Sequence, residues 1–145
     1  MAPLRKLASL GVGGWRDLIR AQRALLLAQW RLRREPIGAL AIRERSAPGE
    51  QVGSAGRAHA IALAIDRVAR FGIFRPFCLV RAMALRDLLV REGIHGGSIR
   101  VGVRRHQGRF EAHAWVRWGE EVLGDLPEHV ARFTEVEDLR VLLGR

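Results

Sequence analysis

Three side chains in this sequence could together perform cysteine chemistry: Cys78, His113 and Asp125. Cys78 is the only cysteine and follows Pro76 at the start of a segment with helical periodicity. Unpaired backbone N–H groups and the positive end of the helix dipole favour a thiolate over a thiol at such a position. His113 and Asp125 follow in an order that could supply a base and its orienting group. The set predicts a Cys-His-Asp hydrolase or acyltransferase.

The element that must position the thiol is a helix predicted from residue 77 to 92. Its apolar residues recur at intervals of four, three and four: Cys78, Ala82, Leu85 and Leu89. Proline suits the first turn of a helix, as at Pro76, and Gly93 is the expected C-cap. One apolar face of this length predicts a buried central helix with Cys78 at its amino end.

Strands are predicted after this helix, because the apolar period changes from helical to alternating. The alternating apolar residues are Ile99, Val101 and Val103, then Phe110, Ala112, Ala114 and Val116. Residues 105–108 form the expected hairpin loop, and Val122-Leu123 a third short strand. His113 and Trp115 share the opposite face of the second strand, and Asp125 follows the third. Adjacent antiparallel strands would bring His113 and Asp125 together.

The amino-terminal part is predicted to be helical. One helical pattern covers residues 15 to 34 and ends near Pro36, and a second covers residues 59 to 70. A polar, glycine-rich connection at 46–56 lies between them. We therefore divide the chain into an amino-terminal helical region with its connection, 1–56, and a catalytic core, 57–145, within one domain overall. A capping-box spacing between Thr134 and Glu137 predicts a short terminal helix.

Composition narrows the class of protein further. The 145 residues are 48% apolar and 28% charged, as in an ordinary globular protein. The formal net charge is +10, almost all of it arginine, but the excess is diffuse and favours a solvated surface over nucleic-acid binding. One cysteine excludes an internal disulfide, which predicts a cytoplasmic protein. No apolar run is long enough to insert into a bilayer, although surface association stays open.

Four short segments together resemble a known family. They are the approach to the central helix at 74–85 with Cys78-Leu79, the strand at 99–103, the run His113-Ala114-Trp115-Val116, and Gly124-Asp125. This pattern is similar to the transglutaminase-like leader peptidase of lasso peptide biosynthesis, the B-protein carboxy-terminal domain family. The resemblance covers residues 71 to 133.

The resemblance implies an α+β fold, with a transglutaminase-like or papain-like core in which the central helix packs on a small antiparallel sheet. It implies a cysteine peptidase that cleaves the leader from a ribosomally made precursor before a separate synthetase closes the macrolactam. Cys78 would be the nucleophile, His113 the base and then acid, and Asp125 the orienter. The expected partners are the precursor leader, a separate leader-recognition protein and the synthetase, with no cofactor.

Two other functions stay open at this stage. The same acyl-thioester could pass to an amine, which would make the chain an acyltransferase. A non-enzymatic basic module could instead bind an acidic peptide or nucleic acid through the arginines of residues 15–34. The remaining histidines, His59, His95, His106 and His129, lack metal-ligand spacing, so no metal site is expected. Trp115, beside His113, is a candidate for lining the peptide groove.

Overall fold

A computed structural model describes residues 11–35 and 50–136. The helices are α1 (Val12–Arg34), α2 (Ala55–Phe71), α3 (Cys78–Arg91) and the single turn α4 (Pro127–Val130). The strands are β1 (Gly97–His106), β2 (Arg109–Trp118), β3 (Glu121–Leu123) and β4 (Thr134–Glu135). They form one antiparallel sheet in the order β3-β2-β1-β4. The predicted α+β class, with a central helix on a small antiparallel sheet, is confirmed.

The three long helices begin and end where local sequence allows. The side chain of Ser54 accepts a hydrogen bond from the Arg57 N–H, so α2 starts within the predicted connection, four residues earlier than expected. Phe77 is the N-cap of α3 in extended conformation, which makes Cys78 the first helical residue. Gly93 follows the carboxyl end of α3 with a φ of 76°, a conformation that favours glycine.

The sheet is longer and better paired than its apolar alternation indicates. β1 and β2 pair over ten residues each, with Gly102 opposite His113. Their hairpin turns at Gln107 and Gly108, both at positive φ (49° and 76°), as in a type I′ turn whose twist matches the strands. The loop is therefore two residues long, tighter than the predicted 105–108 segment.

One hydrophobic core joins the helices to the sheet. The buried side chains of α3, among them Val80, Met83, Leu85 and Leu89, pack with Ala21 and Leu25 of α1 and Ile61 and Ile65 of α2. On the sheet, Ala114, Val116 and Trp118 belong to the same core. The other side of β2 carries His113 and Trp115. Packing α3 onto the sheet brings the Cys78 end of the helix to β2.

The carboxyl-terminal prediction is wrong at its first residue. Thr134 does not begin a helix: it lies in β4, which pairs with β1 through Val103↔Thr134 and Gly102↔Glu135. A capping-box spacing is a local signal, and here the open edge of β1 offers Thr134 and Glu135 backbone partners instead. The rest of the predicted terminal helix lies outside the described residues, as does Pro36. The division between 1–56 and 57–145 stays a prediction.

Candidate active site

Cys78 lies at the amino end of α3, as predicted. It is half-buried, and the N-cap Phe77 offers no side-chain acceptor to the first-turn N–H groups. Those groups lack intrahelical partners and point out of the helix end, where they and the helix dipole stabilise negative charge on a nearby atom. The Cys78 side chain therefore lies where first-turn N–H groups could donate to an oxyanion formed beside it.

His113 and Asp125 are brought to the same place by the edge of the sheet. β3 pairs only with Val116, Arg117 and Trp118, so in the described chain the preceding part of β2 has an open edge on this side. The chain leaves β3 through Gly124, whose φ of 77° turns it toward that edge. Cys78, His113 and Asp125 all line one small cleft there, together with Gly124 and side chains of α3.

The hydrogen bonds of Asp125 determine which nitrogen of His113 is available. The Oδ2 atom of Asp125 is bonded to Nε2 of His113. Because an ionised carboxylate can only accept, Nε2 must carry a proton, and in the neutral imidazole the lone pair is then on Nδ1. Nδ1 is the nitrogen that could accept the proton of a thiol in the cleft. The geometry thus selects the tautomer that a base requires.

His129 is the second histidine of this cluster, and the sequence analysis did not place it there. Its Nδ1 donates to Oδ1 of Asp125 over 3.0 Å, and its ring contacts that of His113 edge-on, with centroids 4.8 Å apart. The sequence signal for this contact is the spacing of four residues between Asp125 and His129. The single turn α4 contains His129 and begins two residues after Asp125, so the two side chains can meet. Sequence spacing grouped His129 with three other histidines that had no expected role, whereas in the structure it contacts both Asp125 and His113.

Asp125 is held in its ionised form by these donors. Burial by itself disfavours the charge, but hydrogen bonds from His113, from the backbone N–H of Leu126 (2.7 Å) and from His129 outweigh it and lower the pKa of Asp125 below its ordinary value. Both carboxylate oxygens are occupied, Oδ2 by one donor and Oδ1 by two. The carboxylate is therefore fixed in orientation as well as charge.

Trp115 supports the histidine. It lines the cleft, yet only 3% of its surface is exposed, and its ring stacks with that of His113 at a centroid distance of 6.1 Å. Its far edge lies so close to Gly102 that a Cβ there would come within 2.8 Å of the ring, so only glycine fits opposite His113. A substrate-binding role for Trp115 stays a prediction, with little of its indole free.

One arginine lines the cleft, and two exposed apolar residues are sequence neighbours of residues that line it. Arg81, one turn after Cys78, lines it and is held by Asp66 through a 2.9 Å hydrogen bond. Phe77 and Leu126, the chain neighbours of Cys78 and Asp125, are 74% and 66% exposed. Exposed apolar side chains beside a cleft are typical of a surface that binds a ligand.

A metal ion would have to compete with the hydrogen bonds just described. Among the described residues, His113, Asp125 and His129 offer ligand-type atoms that all lie within 4.8 Å of one another. Both oxygens of Asp125 already accept hydrogen bonds from the two imidazoles. The arrangement fits a hydrogen-bonded carboxylate between two histidines and needs no ion to hold its charges.

Comparison with known proteins agrees with the α+β fold. The profile of the transglutaminase-like superfamily matches residues 21–138, most of the chain, and the protein belongs to that superfamily. The superfamily includes cysteine peptidases and acyltransferases and is generally catalytic through Cys, His and Asp. No curated protein and no solved structure gives a significant match. Among the described residues, none of the helices combines the length and apolar character that a membrane crossing requires.

Proposed function

We propose that this protein is a cysteine peptidase that cleaves the leader from a ribosomally made lasso precursor peptide, with Cys78 as nucleophile, His113 as base and acid, and Asp125 as orienter. The observation that carries the proposal is that all three residues line one cleft, with the Asp125 bond leaving Nδ1 of His113 for the thiol. The resemblance of the segments around these residues to lasso leader peptidases supports the choice of substrate.

Acylation uses the amino end of α3. Nδ1 of His113 takes the thiol proton, and the Cys78 sulfur attacks the carbonyl carbon at the leader-core junction. The carbonyl electron pair moves onto oxygen, where the backbone N–H of Cys78 can donate to the oxyanion. As the tetrahedral intermediate collapses, His113 returns its proton to the leaving nitrogen. The core peptide departs with a free amine, and the leader stays as a thioester on Cys78.

Deacylation uses the same imidazole. Nδ1 of His113 removes a proton from water, the hydroxide attacks the thioester, and the thiolate leaves. Throughout, Asp125 keeps the proton on Nε2 and stabilises the imidazolium that forms twice in the cycle. The products are leader acid and a core with a free amino terminus, which is the nucleophile that a macrolactam synthetase would use.

The surroundings of the cleft suit a peptide substrate. Phe77 and Leu126 offer apolar contact next to the nucleophile and the orienter, and a long chain could lie across both. The cleft itself is too small to enclose a peptide, so a separate leader-recognition protein would supply affinity and this chain the chemistry. We therefore propose that leader binding and catalysis are carried out by separate proteins.

The test incubates the chain with precursor peptide and leader-recognition protein and reads intact masses. We expect leader acid and core, and Cys78→Ala and His113→Ala to abolish both products. The matched control is His106→Ala, because His106 is an exposed histidine of the β1-β2 hairpin and should leave cleavage unchanged. Processing by Cys78→Ala at the parent rate would disprove the nucleophile. Leader joined to an added amine instead of leader acid would identify an acyltransferase.

A further inference from the structure

The outward face of α1 carries an apolar stripe that no element of the described residues, 11–35 and 50–136, covers. Its members are between 44% and 80% exposed: Val12, Trp15, Ile19, Leu26 and Trp30. Val12, Ile19 and Leu26 recur every seven residues, which places them in one line along the helix. Large apolar side chains in a continuous line are uncommon on a solvated helix face and are typical of a surface that packs against another element.

α1 cannot rotate to bury this stripe. Its opposite face is part of the core through Ala21, Leu25 and Ala28. Ion pairs fix it at both ends as well, because Asp17 bonds Arg57 of α2 and Arg31 bonds Asp87 of α3. The packing of α1 on α2 and α3 therefore holds the stripe on the side facing away from the core.

Arginine lies within and beside the stripe. Arg23 is exposed, with Ile19 one turn before it and Leu26 and Leu27 one turn after. In the described part of the chain Arg23 has no acidic partner. Arg34 stacks on Trp30, with its Cζ atom 4.8 Å from the ring centroid. Tryptophan and arginine are the residues that most often dominate binding energy at protein interfaces. A partner must supply apolar side chains for the stripe and a carboxylate for Arg23.

These features distinguish between possible occupants. A lipid surface would have to accept Arg23 in the middle of the apolar residues, where a charge is costly to bury without a partner. A second copy of the chain would pair the stripe about its midpoint, near residue 21, and would bring Arg23 close to its own counterpart. Like charges at a buried position oppose association. A helix bearing acidic residues has neither difficulty.

We propose that the outward face of α1 binds an acidic amphipathic helix of a partner protein, with the apolar stripe packed against the partner's apolar face and Arg23 paired to a carboxylate. The heptad spacing of Val12, Ile19 and Leu26 matches helix-on-helix packing. The site is separate from the cleft and does not depend on the proposed peptidase activity, so Cys78→Ala should bind as the parent does.

The test uses two synthetic helical peptides, each about three heptads long, with leucine at the seam and either glutamate or lysine beside it. Binding to the full chain is followed by fluorescence anisotropy of the labelled peptide. We expect the glutamate peptide to bind at least about tenfold more tightly than the lysine peptide. Arg23→Glu should abolish or reverse that preference, and Ile19→Asp should weaken both peptides about tenfold or more.

The matched controls are Arg109→Glu and Phe110→Asp, which change an exposed arginine and an exposed phenylalanine on the β1-β2 hairpin and should change neither affinity. Circular dichroism of every variant reports folding, and the substituted side chains lie outside the core. The proposal is overturned if neither peptide binds, or if Arg23→Glu leaves the preference as it was. It is also overturned if Ile19→Asp instead dissolves a dimer of the chain or releases it from anionic vesicles that the parent binds.

Discussion

Two charged clusters in this protein are built in opposite ways. Among the helices, one cation lies between two carboxylates: Arg57 donates to both oxygens of Asp17 at 2.7 Å and to Glu92 at 2.6 and 2.7 Å. These residues belong to α2, α1 and the end of α3, so the cluster joins all three helices. Hydrogen bonds from Arg57 lower the pKa of both carboxyls, and they in turn raise the pKa of Arg57.

At the cleft, one carboxylate lies between two imidazoles instead. Asp125 accepts from His113 and His129, and imidazole is the side chain that exchanges protons near neutral pH. The two arrangements suit different tasks. Arginine and carboxylate groups stay charged throughout the neutral pH range, so their ion pairs link the helices permanently. An imidazole held by a fixed carboxylate can instead give up and take back a proton. The first cluster should control stability and the second activity.

The largest expected effect is on activity, from Asp125→Asn. The amide could donate to Nε2 of His113, which would move the imidazole proton to Nδ1 and remove the base. We expect kcat/KM for precursor cleavage to fall by about 10³ to 10⁴ with little change in Tm. The matched control is Asp87→Asn, which alters a carboxylate bonded to Arg31 away from the cleft and should spare cleavage. Equal activity losses in the two variants would contradict a specific role of the Asp125 carboxylate in cleavage.

The second effect is on stability, from Arg57→Ala. Two half-buried carboxylates would lose their shared donor, and we expect the free energy of unfolding to fall by about 1–3 kcal/mol, measured by urea titration. Cleavage by the folded variant should match the parent. A variant that unfolds as the parent does but cleaves more slowly would show that this cluster serves the site.

The same cluster predicts a pH dependence. The pKa values of Asp17 and Glu92 are lower in the folded protein than in the unfolded chain, so the folded state binds fewer protons. The contribution of the Arg57 cluster to the free energy of unfolding is complete at neutral pH and is lost as the pH falls below about 4. The difference in unfolding free energy between the parent and Arg57→Ala should therefore shrink on acidification through this range.

The smallest effect is expected at His129, which touches neither thiol nor scissile bond in the proposed mechanism and acts by positioning Asp125. His129→Leu should lower kcat about tenfold, the loss of roughly 1.4 kcal/mol, with KM unchanged. His129→Gln can still donate to Oδ1 and should recover much of the rate. If His129→Leu lowers Tm but leaves kcat and its pH profile as in the parent, the residue is only structural.

Local sequence predicted much of the site because its signals are short-range. The proline before α3, its apolar face and Gly93 determine where the Cys78 helix begins and ends. Alternation along β2 placed His113 and Trp115 on one side. The placement of Asp125 beside His113 also followed, since consecutive antiparallel strands are neighbours.

Contacts between distant segments could not be predicted in the same way. Thr134 pairs with Val103 because β1 has an open edge, although its own neighbourhood indicates a helix start. Arg57 finds Asp17 and Glu92 only after three helices have packed. His129 of α4 contacts His113 of β2 although 16 residues separate them in the sequence. Each of these depends on elements far apart in sequence.

Periodicity, capping and turn chemistry act within a few residues, so they predict the order of the elements, the thiol at a helix amino end and the strand that carries the histidine. It is the packed fold that shows three residues sharing a cleft, a second histidine holding the carboxylate, and α1 presenting apolar residues outward. These features depend on which faces the packed core leaves at the surface, and packing is a property of the whole chain.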